Sequence, residues 1–378
     1  MAGTGEDALK IAYVINSVEG GGAALPVPAV TRVMRERGHH VEIFALSRRD
    51  GRAITSMEQD GLRVHVRDGA PGDHLTAFFW LMRQMQAFSP TVIWTSLTRA
   101  TLMGQLIGTW RRCPVVSWQH SARLKPANAR MLRLLRARTS LWIADSRCVE
   151  EMTRQTLGIP PAHLACWPIF RADADVPLAT PWRPGEPVRI GSLGRLHPVK
   201  GYDILCQALT LLHQKGDLPP FEVVIAGEGE ERARLEDLIR RDELPVRLAG
   251  YVEHPKNFLT TLHAYVQPSL WEGLCLAAHE AMLAGLPVIA SAVGELPFTI
   301  TGDMGSVVPP RDPQALAAAL EKLLRSPEKL VEWGRAGRQR VLERFSAERF
   351  DATGRGIVER VERIVADRNG SVQAQRLR

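Results

Sequence analysis

Short apolar runs alternate with amphipathic stretches along the whole chain. In the first half, six runs are typical of buried strands: KIAYVINS, HHVEIFALS, LRVHVRD, TVIWTSL, PVVSWQH and SLWIADS. Helical periodicity lies between several of them, most clearly in LPVPAVTRVMRERG and HLTAFFWLMRQMQAF. Strands that alternate with helices predict parallel sheets, so we expect an α/β fold.

The alternation is interrupted once and then resumes. Residues 171–189 are rich in proline and lack periodicity, which predicts a linker. Six more strands are predicted beyond it: VRIGSLGR, FEVVIAGEG, VRLAGYV, HAYVQPS, PVIAS and GSVVPP. We therefore expect two Rossmann-like domains, residues 1–183 and 184–351, with a ligand site in a cleft between them. Residues 352–370 are predicted to be an amphipathic helix, and 371–378 a flexible tail.

Two glutamates stand out in the stretch WEGLCLAAHEAMLAGLPVIAS, residues 271–291. Glu272 falls in a loop at the carboxyl end of a predicted strand, where open α/β sheets bind ligands. Glu280 lies within a helix predicted over Leu274–Ala284, among alanines, leucines and a methionine. An unpartnered ionised carboxylate there costs several kcal/mol. Either a protein cation or a ligand diol must therefore partner Glu280.

Composition narrows the class of protein. With 378 residues and 45% hydrophobic content the chain is globular. The charged start MAGTGEDALK leads directly into a strand, and no apolar run approaches the roughly 20 residues of a membrane span, so we expect a cytoplasmic protein without a signal peptide. The cysteines show no CxxC pair, which predicts reduced, mostly buried thiols rather than disulfides or zinc ligands. They are Cys113, Cys148, Cys166, Cys206 and Cys275.

The net charge of +7 favours anionic partners. Much of this charge lies in residues 123–138, where arginines and a lysine are interspersed with leucines. The pattern fits a basic amphipathic helix on an anionic membrane surface, and it fits equally an ordinary solvated face whose leucines pack inward. Nucleic acid is disfavoured, because the chain has no basic motif interleaved with aromatic residues.

Three glycine-rich stretches follow predicted strands: residues 20–22, 191–201 and the run from Gly227. None completes GxGxxG or GxxxxGK[ST], so the dinucleotide and P-loop interpretations lose support. Glycines at a helix start still allow close approach of a phosphate, although residues 20–22 also fit a simple tight turn. Arg195 and Lys200 belong to the second stretch and are suited to hold a diphosphate. Taken alone, they could equally be two surface cations.

Several motifs together resemble the carboxyl-terminal domain of the family 4 glycosyltransferases, which are retaining enzymes of the GT-B fold. The motifs are GRLHPVKGYDILCQAL, VVIAGEGEERARLEDLI, VRLAGYV, SLWEGLCLAAHEAMLAGLPVIAS and GSVVPPRDPQALAAAL. They cover residues 185–350 in the family's order and spacing, including two glutamates with seven residues between them. The first half matches more loosely, through its glycine-rich turn, RERGHHVEIF and IADSRCVEEM. The resemblance implies that the final helix crosses back onto the first domain.

The resemblance also implies roles for individual residues. Glu280 would bind the ribose of the donor nucleotide, and Glu272 the transferred sugar or its leaving group. Arg195 and Lys200 would hold the diphosphate, with Gly21 and Gly22 closing on it from the first domain. His120 aligns with a histidine that reaches the sugar, although a lone histidine at a strand end is more often a packed or solvated residue. The remaining donor contacts are expected at Gly227, Val252, Gly273 and Leu274.

Some residues depart from the family pattern. CWPIFRADAD stands where an Asn-Gly turn is usual, the usual Gly-Gly after VIAS is Gly294-Glu295, and a glutamate just beyond is missing. Asp173-Ala174-Asp175 is a DxD sequence, which binds metal in another glycosyltransferase fold, but it lies in the linker. We expect no metal and no cofactor, because Arg195 and Lys200 already supply the positive charge.

The sequence therefore predicts a retaining transferase that moves a sugar from a nucleotide diphosphate sugar, with UDP favoured, to a hydroxyl acceptor. No covalent nucleophile with an adjacent base is evident, so catalysis is expected to rest on positioning and charge stabilisation. The expected acceptor is a glycan or lipid-linked molecule, with peripheral membrane contact through residues 123–138. A GT-B epimerase, a phosphorylase or a non-catalytic sugar-nucleotide-binding module remain alternatives.

Overall fold

The computed structural model describes residues 8–70, 72–216 and 218–376. The chain forms two compact units, Met1–Ile169 with Glu348–Arg378, and Phe170–Ala347. Residues 170–183, which the sequence pattern assigned to the first domain, belong to the second unit. The final helix continues to Arg376, through most of the expected flexible tail, and residues 377–378 lie outside the described residues.

The first unit is built on a parallel seven-stranded sheet with the strand order β3-β2-β1-β4-β5-β6-β7. Its strands are β1 (Lys10–Ile15), β2 (His40–Ala45), β3 (Arg63–Val66), β4 (Val92–Ser96), β5 (Val115–Gln119), β6 (Leu141–Ala144) and β7 (Leu164–Cys166). All six predicted strands are present. β7 was not predicted, because three residues are too few to show a hydrophobic pattern.

Seven helices belong to the first unit in the described part of the chain. They are α1 (Val27–Glu36), α2 (Arg52–Gln59), α3 (His74–Phe88), α4 (Thr98–Trp110), α5 (Pro126–Leu135), α6 (Arg147–Leu157) and α14 (Ala347–Arg376). Local sequence sets their limits: Ser146 accepts a hydrogen bond from the Val149 backbone N–H at the start of α6, and Gly158 ends it in the left-handed conformation.

The second unit has a parallel six-stranded sheet in the order β10-β9-β8-β11-β12-β13. Its strands are β8 (Val188–Leu193), β9 (Phe221–Ala226), β10 (Val246–Gly250), β11 (Ala264–Gln267), β12 (Val288–Ser291) and β13 (Gly305–Val308). Its helices are α7 (Tyr202–Lys215), α8 (Arg232–Arg241), α9 (Pro255–Thr260), α10 (Leu276–Leu283), α11 (Leu296–Thr299), α12 (Pro313–Leu324) and α13 (Leu330–Phe345). In both sheets the order reverses beside the first strand, which places a ligand crevice at the carboxyl ends of the strands.

The apolar runs form the cores, as a parallel sheet covered on both faces requires. Every residue of β1 after Lys10 is buried. The largest buried side chains of the first unit are four tryptophans on or just after its strands: Trp94, Trp118, Trp142 and Trp167. Three of the five cysteines, Cys113, Cys206 and Cys275, are buried, in line with the prediction that most of them would be. None of the described helices combines the length and apolar character needed to span a bilayer.

Helix α14 is fixed to the first unit by packing and by charge. A Cβ at Gly354 would lie 2.3 Å from the Trp167 ring, so glycine is needed for this close approach. Arg37 contacts both carboxylate oxygens of Glu362, at 3.0 and 2.9 Å, and His39 Nε2 lies 2.9 Å from Oε1. Partial burial raises the pKa of Glu362, but Arg37 and His39 outweigh it and hold the pKa below its ordinary value.

We expect Glu362→Gln to lower the free energy of unfolding by about 1 kcal/mol at pH 7, because a charge-assisted pair is lost. Because the carboxyl pKa of Glu362 is lower in the folded than in the unfolded chain, the ionised carboxylate stabilises the folded state above the unfolded pKa of roughly 4.3. This stabilisation is lost as the pH falls through the pKa of the folded state. The difference between variant and wild type should therefore disappear near pH 3 in urea unfolding. Glu359→Gln is the matched control, because Glu359 meets Arg37 through a more exposed contact. Equal losses in both variants would contradict the prediction.

Candidate active site

The loops after β8 and β9 contain the glycine-rich stretches of the second unit that stand out in the sequence, and their backbones pack against each other. Gly227 has a φ of 147°, and a Cβ there would lie 1.9 Å from the Gly194 carbonyl oxygen. The Leu196 N–H donates to the Glu228 carbonyl at 2.9 Å, and the Glu231 N–H donates to the Leu196 carbonyl at 3.0 Å. The fold itself therefore requires glycine at 227, whatever ligand binds nearby.

Lys200 and Glu272 meet at the carboxyl edge of the second sheet. Lys200 Nζ lies 2.7 Å from Glu272 Oε1, and the two side chains are 20% and 12% exposed. Ser269 Oγ donates to the same oxygen at 2.7 Å, and Gln267 Nε2 lies 3.3 Å from it. Three donors thus converge on one carboxylate oxygen.

The network around Glu272 continues into the sheet. The Tyr265 hydroxyl donates to Gln267 Oε1 at 2.9 Å, and Gln267 Nε2 donates to Ser269 Oγ at 2.8 Å. Burial lowers the pKa of Lys200, but the charge and hydrogen bond of Glu272 outweigh it and leave the pKa above its ordinary value. Lys200 is therefore a fixed cation, and only one of its three N–H donors is used by Glu272.

Glu280 is in a different position. Its side chain is half-buried on α10, and it makes no side-chain hydrogen bond or ion pair with the described residues. Burial raises its pKa, which the positive charge of Lys256 offsets only in part. The partner that the sequence predicts for this carboxylate is therefore not supplied by the described part of the protein.

The other expected donor contacts of the second unit differ in environment. Arg195 is exposed, and its guanidinium has no partner within the described ranges. Val252 is half-buried in the loop after β10, and the Leu274 side chain is 2% exposed in the core. Gly273 accepts a hydrogen bond from the Glu295 N–H at 2.9 Å, which ties the loop of Glu272 to the loop after β12.

The expected residues of the first unit are Gly21, Gly22 and His120. Residues 20–25 form a turn into α1, in which the Ala24 and Leu25 N–H groups donate to the Gly21 carbonyl. Gly21 has no positive φ, and a Cβ there would meet only the Glu19 side chain at an ordinary 3.9 Å. The fold therefore does not demand glycine at position 21.

His120 follows β5 and lies between two polar residues that the sequence pattern did not single out as functional. Its Nε2 is 2.8 Å from Ser96 Oγ, at the end of β4, and its Nδ1 is 3.3 Å from Asp145 Oδ2, just after β6. Gln267 and Ser269 were missed in the same way. A polar residue at the end of an otherwise apolar strand, as in AYVQ or LWIAD, is the signal that could have indicated them.

The DxD sequence forms a local turn. The Asp173 carboxylate accepts a hydrogen bond from the Asp175 N–H at 3.0 Å, and both side chains are exposed. The described residues contain no group of three or more histidine, cysteine or acidic side chains placed to hold a metal ion.

Comparison with known proteins identifies the family. Residues 20–170 match the family described as Glycosyltransferase Family 4, and residues 181–340 match Glycosyl transferases group 1. The chain belongs to the family 4-like glycosyltransferases.

Among curated relatives, the amylovoran biosynthesis glycosyltransferase AmsK of Erwinia amylovora is 34% identical over 172 residues, 43% of this chain and 42% of AmsK. A glycogen synthase of Mycobacterium tuberculosis is 34% identical over 165 residues, 42% of this chain and 39% of that protein. These matches span less than half of the length of each relative.

Solved structures confirm the expected GT-B fold. HepE from Anabaena, in complex with UDP-glucose, has a TM-score of 0.81 at 20% identity and covers 93% of this chain and 99% of its own. The apo form of the lipopolysaccharide outer core galactosyltransferase WaaB has a TM-score of 0.71 at 15% identity, over 91% of this chain and 98% of WaaB. At these identities the likeness establishes the fold alone.

We expect Glu272 and Glu280 to have opposite effects on the stability of the fold. The raised pKa of Glu280 means that the folded chain binds protons more readily than the unfolded chain, so its ionisation destabilises the fold as the pH rises through that range. We expect Glu280→Gln to raise the melting temperature at pH 7 by roughly 2–4 °C. Glu272→Gln should lower it by a similar amount or more, because Lys200 loses its buried partner. Differential scanning calorimetry measures both, and shifts of the same sign would contradict this prediction.

Proposed function

We propose that this glycosyltransferase moves a sugar, with retention of anomeric configuration, from a UDP-sugar to a hydroxyl group of a glycan or lipid-linked acceptor. The observation that carries the proposal is the contrast at the carboxyl edge of the second sheet. Glu272 forms a salt bridge with Lys200 through Oε1, whereas Glu280, eight positions further along the chain, is half-buried without a partner among the described residues. A ribose diol supplies the two donors that such a carboxylate lacks.

The cations suit a diphosphate leaving group. Lys200 is held in place by Glu272 and keeps two N–H donors for phosphate oxygens. Arg195 lies in the same loop with an exposed guanidinium, which is suited to bidentate contact with phosphate. Charge that develops on the departing diphosphate is stabilised most by donors that are already oriented. On this proposal Glu272 orients Lys200 in addition to its expected contact with the sugar.

The choice of UDP rests on the solved relatives. HepE was crystallised with UDP, with UDP and glucose, and with UDP-glucose. The pneumococcal O-GlcNAc transferase GtfA, with a TM-score of 0.64 at 18% identity, was crystallised with UDP and GlcNAc. Transfer of this ligand class to the present chain is part of the proposal, as are sugar-donor contacts of His120, Gly21, Gly22, Gly227, Val252, Gly273 and Leu274.

We expect one class of nucleotide sugar to bind the wild-type chain, and Glu280→Ala to weaken that binding roughly 100-fold or more, since two charge-assisted hydrogen bonds are lost. Isothermal titration calorimetry with UDP-, GDP-, ADP- and TDP-sugars measures this. Glu328→Ala, at an exposed site far along the sequence, is the control and should bind like wild type. A Glu280→Ala variant with unchanged affinity would exclude the ribose contact.

The same panel separates the alternatives. A GT-B epimerase converts the sugar without an acceptor, a phosphorylase needs inorganic phosphate, and a binding module binds the donor without releasing UDP. We further propose that the reaction needs no divalent metal, because Lys200 and Arg195 supply the positive charge. Donor hydrolysis undiminished by a chelator fits this proposal, whereas strict dependence on added Mn²⁺ excludes it.

We also propose peripheral contact between the first unit and an anionic membrane, from the cytoplasmic side. Residues 74–144 contain ten arginines and lysines and no aspartate or glutamate. This segment includes α3, α4 and α5, and residues 123–138 surround α5. Such a one-sided charge complements the negative surface of a bilayer rather than a neutral partner.

Exposed apolar side chains lie on the same three helices. In α5, Leu134 is 83% exposed and Met131 44%, so these members of the leucine-rich segment do not pack inward. In α4, Trp110 is 66% exposed, and in α3, Leu75 is 77% and Phe79 59% exposed. Residues of α3 and α4 pack into one apolar core, and α5 contacts α4, so the three helices cover the same face of the sheet. Basic residues with exposed aliphatic and aromatic side chains are typical of a helix surface that lies in the headgroup region.

We expect the full chain to sediment with vesicles that contain phosphatidylglycerol, less strongly at high salt, and not with pure phosphatidylcholine vesicles. Leu134→Glu should weaken binding roughly tenfold or more, because it places a charge at the lipid surface. Leu178→Glu is the matched control, since Leu178 is 61% exposed in the second unit. Absence of vesicle binding, or equal effects of the two substitutions, would rule out this surface and leave a protein partner or a solvated face.

A further inference from the structure

The turn that enters α10 is strained, and it lies three residues after Glu272. Cys275, the residue before α10, has a φ of 67° and a ψ of 73°, in the left-handed region that residues other than glycine rarely adopt. The first backbone hydrogen bond of the helix is also weak, because the His279 backbone nitrogen lies 3.4 Å from the Cys275 carbonyl oxygen. The start of α10 therefore needs support beyond its own backbone.

The side chain of His279 provides this support. Its Nδ1 lies 2.9 Å from the Cys275 carbonyl oxygen, closer than the backbone nitrogen of the same residue. A carbonyl oxygen only accepts hydrogen bonds, so Nδ1 carries hydrogen and donates it. Burial lowers the pKa of His279 to about 4, so the ring is neutral at pH 7 and its Nε2 is an acceptor. The Thr299 hydroxyl of α11 lies 3.1 Å from this Nε2.

The contacts of His279 lead back to the loop of Glu272 through α11. The Thr299 hydroxyl has two acceptors within reach, His279 Nε2 and, at 3.3 Å, the Glu295 carbonyl. The Glu295 N–H in turn donates to the Gly273 carbonyl at 2.9 Å. The residue directly after Glu272 is thus held by the same group of contacts as the turn into α10.

Aromatic side chains from both ends of the second unit hold the His279 ring in place. Phe170 is the first residue of that unit, and Phe345 ends α13. Their ring centroids lie 5.7 and 5.0 Å from that of His279, which is completely buried. The Ala172 N–H donates to the Phe345 carbonyl at 2.8 Å, so the two ends are also joined to each other. Rotation of the imidazole away from Cys275 would therefore displace these aromatic side chains.

We propose that His279 is a positioning residue for sugar transfer, which acts through the Cys275 carbonyl. The imidazole fixes the strained turn into α10, and the turn fixes the loop in which Glu272 meets Lys200. An active-site loop that is already in place before the substrate binds needs no further reorganisation during the reaction. This inference rests on the proposed function, because it assigns the sugar end of the donor site to the loop of Glu272.

Glu280 depends less on the His279 contact. It lies in the body of α10, next to Ala281 and Met282, which are fully buried in the second unit. Loss of the contact is therefore expected to disturb the sugar end of the donor site more than the ribose end. The two ends can be measured separately, because a nucleoside diphosphate lacks the sugar that the donor carries.

Two substitutions of His279 separate positioning from packing. His279→Leu fills the space beside the two phenylalanines with apolar atoms but removes the donor to Cys275. His279→Asn leaves more empty space, but its amide N–H lies near the place of Nδ1 and restores the donor. We therefore expect His279→Asn to melt at a lower temperature than His279→Leu and yet to have the higher kcat.

Turnover is measured with UDP-, GDP-, ADP- and TDP-glucose, and nucleotide affinity with the corresponding diphosphates. His279→Leu should lower kcat roughly tenfold or more, and His279→Asn no more than about threefold, while nucleotide affinity changes less than about threefold in both. His213→Leu, at an exposed site of α7, is the matched control and should keep wild-type kcat. An unchanged kcat in His279→Leu would overturn the proposal. So would kcat values that follow the melting temperatures, or an equal loss of nucleotide affinity.

Hydrogen exchange measured by mass spectrometry tests the contact without any substrate. In the ligand-free chain, His279→Leu should speed exchange in peptides that cover residues 273–279 by about fivefold or more relative to peptides of α12, whereas His279→Asn should stay near wild type. Unchanged relative exchange in His279→Leu would contradict the proposal. If wild type turns over no donor of the panel, the proposed function fails, and the exchange pattern still decides whether His279 fixes the turn.

Discussion

A charged side chain can be buried at the end of a parallel strand only if donors or acceptors reach it, and the pair of Lys200 and Glu272 depends on this condition. The loops that carry the two residues are joined backbone to backbone: the Leu270 N–H donates to the Val199 carbonyl at 2.8 Å. A Cβ at Gly201 would lie 2.1 Å from the Pro268 carbonyl oxygen. Glycine at 201 therefore permits the loop contact, and the loop contact places Lys200 on Glu272.

The need of a buried charge for a partner also accounts for how the fold accommodates Glu295, which departs from the family pattern. Glu295 stands where a second glycine is usual, and it is 1% exposed. Arg344 of α13 forms a salt bridge with it and also bonds to Thr299, so the added carboxylate has a partner within the second unit. His279, whose burial lowers its pKa to about 4, bonds to the Cys275 carbonyl and to Thr299. Two residues thus support the loop of Glu272: His279, which is neutral, and Glu295, whose charge is paired with that of Arg344.

Most of the fold could be predicted from the sequence. Buried parallel strands appear in it as short apolar runs, and the helices between them as stretches in which apolar residues recur with a helical period. HLTAFFWLMRQMQAF coincides with α3, and all twelve predicted strands occur. The unit boundary was less predictable, since residues 170–183 have no periodicity that assigns them to either side. Side-chain partners were least predictable. Glu272 could be recognised as a candidate, but its contacts with Ser269 and Gln267 depend on rotamers, and that of Lys200 on the packing of two separate loops.

The residues best suited to bind a substrate are those that neither backbone packing nor a partner within the protein requires. Gly227 is needed for backbone packing, whereas Gly21 has neither a positive φ nor a close neighbour that requires glycine. Glu272 is engaged by three donors, whereas Glu280 has a raised pKa and no protein partner in the described part of the chain. A half-buried carboxylate without a partner destabilises the fold, so its presence is better explained by a ligand than by stability. A ligand that donates hydrogen bonds to Glu280 is therefore expected on physical grounds, and the family resemblance is what suggests the ribose of a donor nucleotide as that ligand.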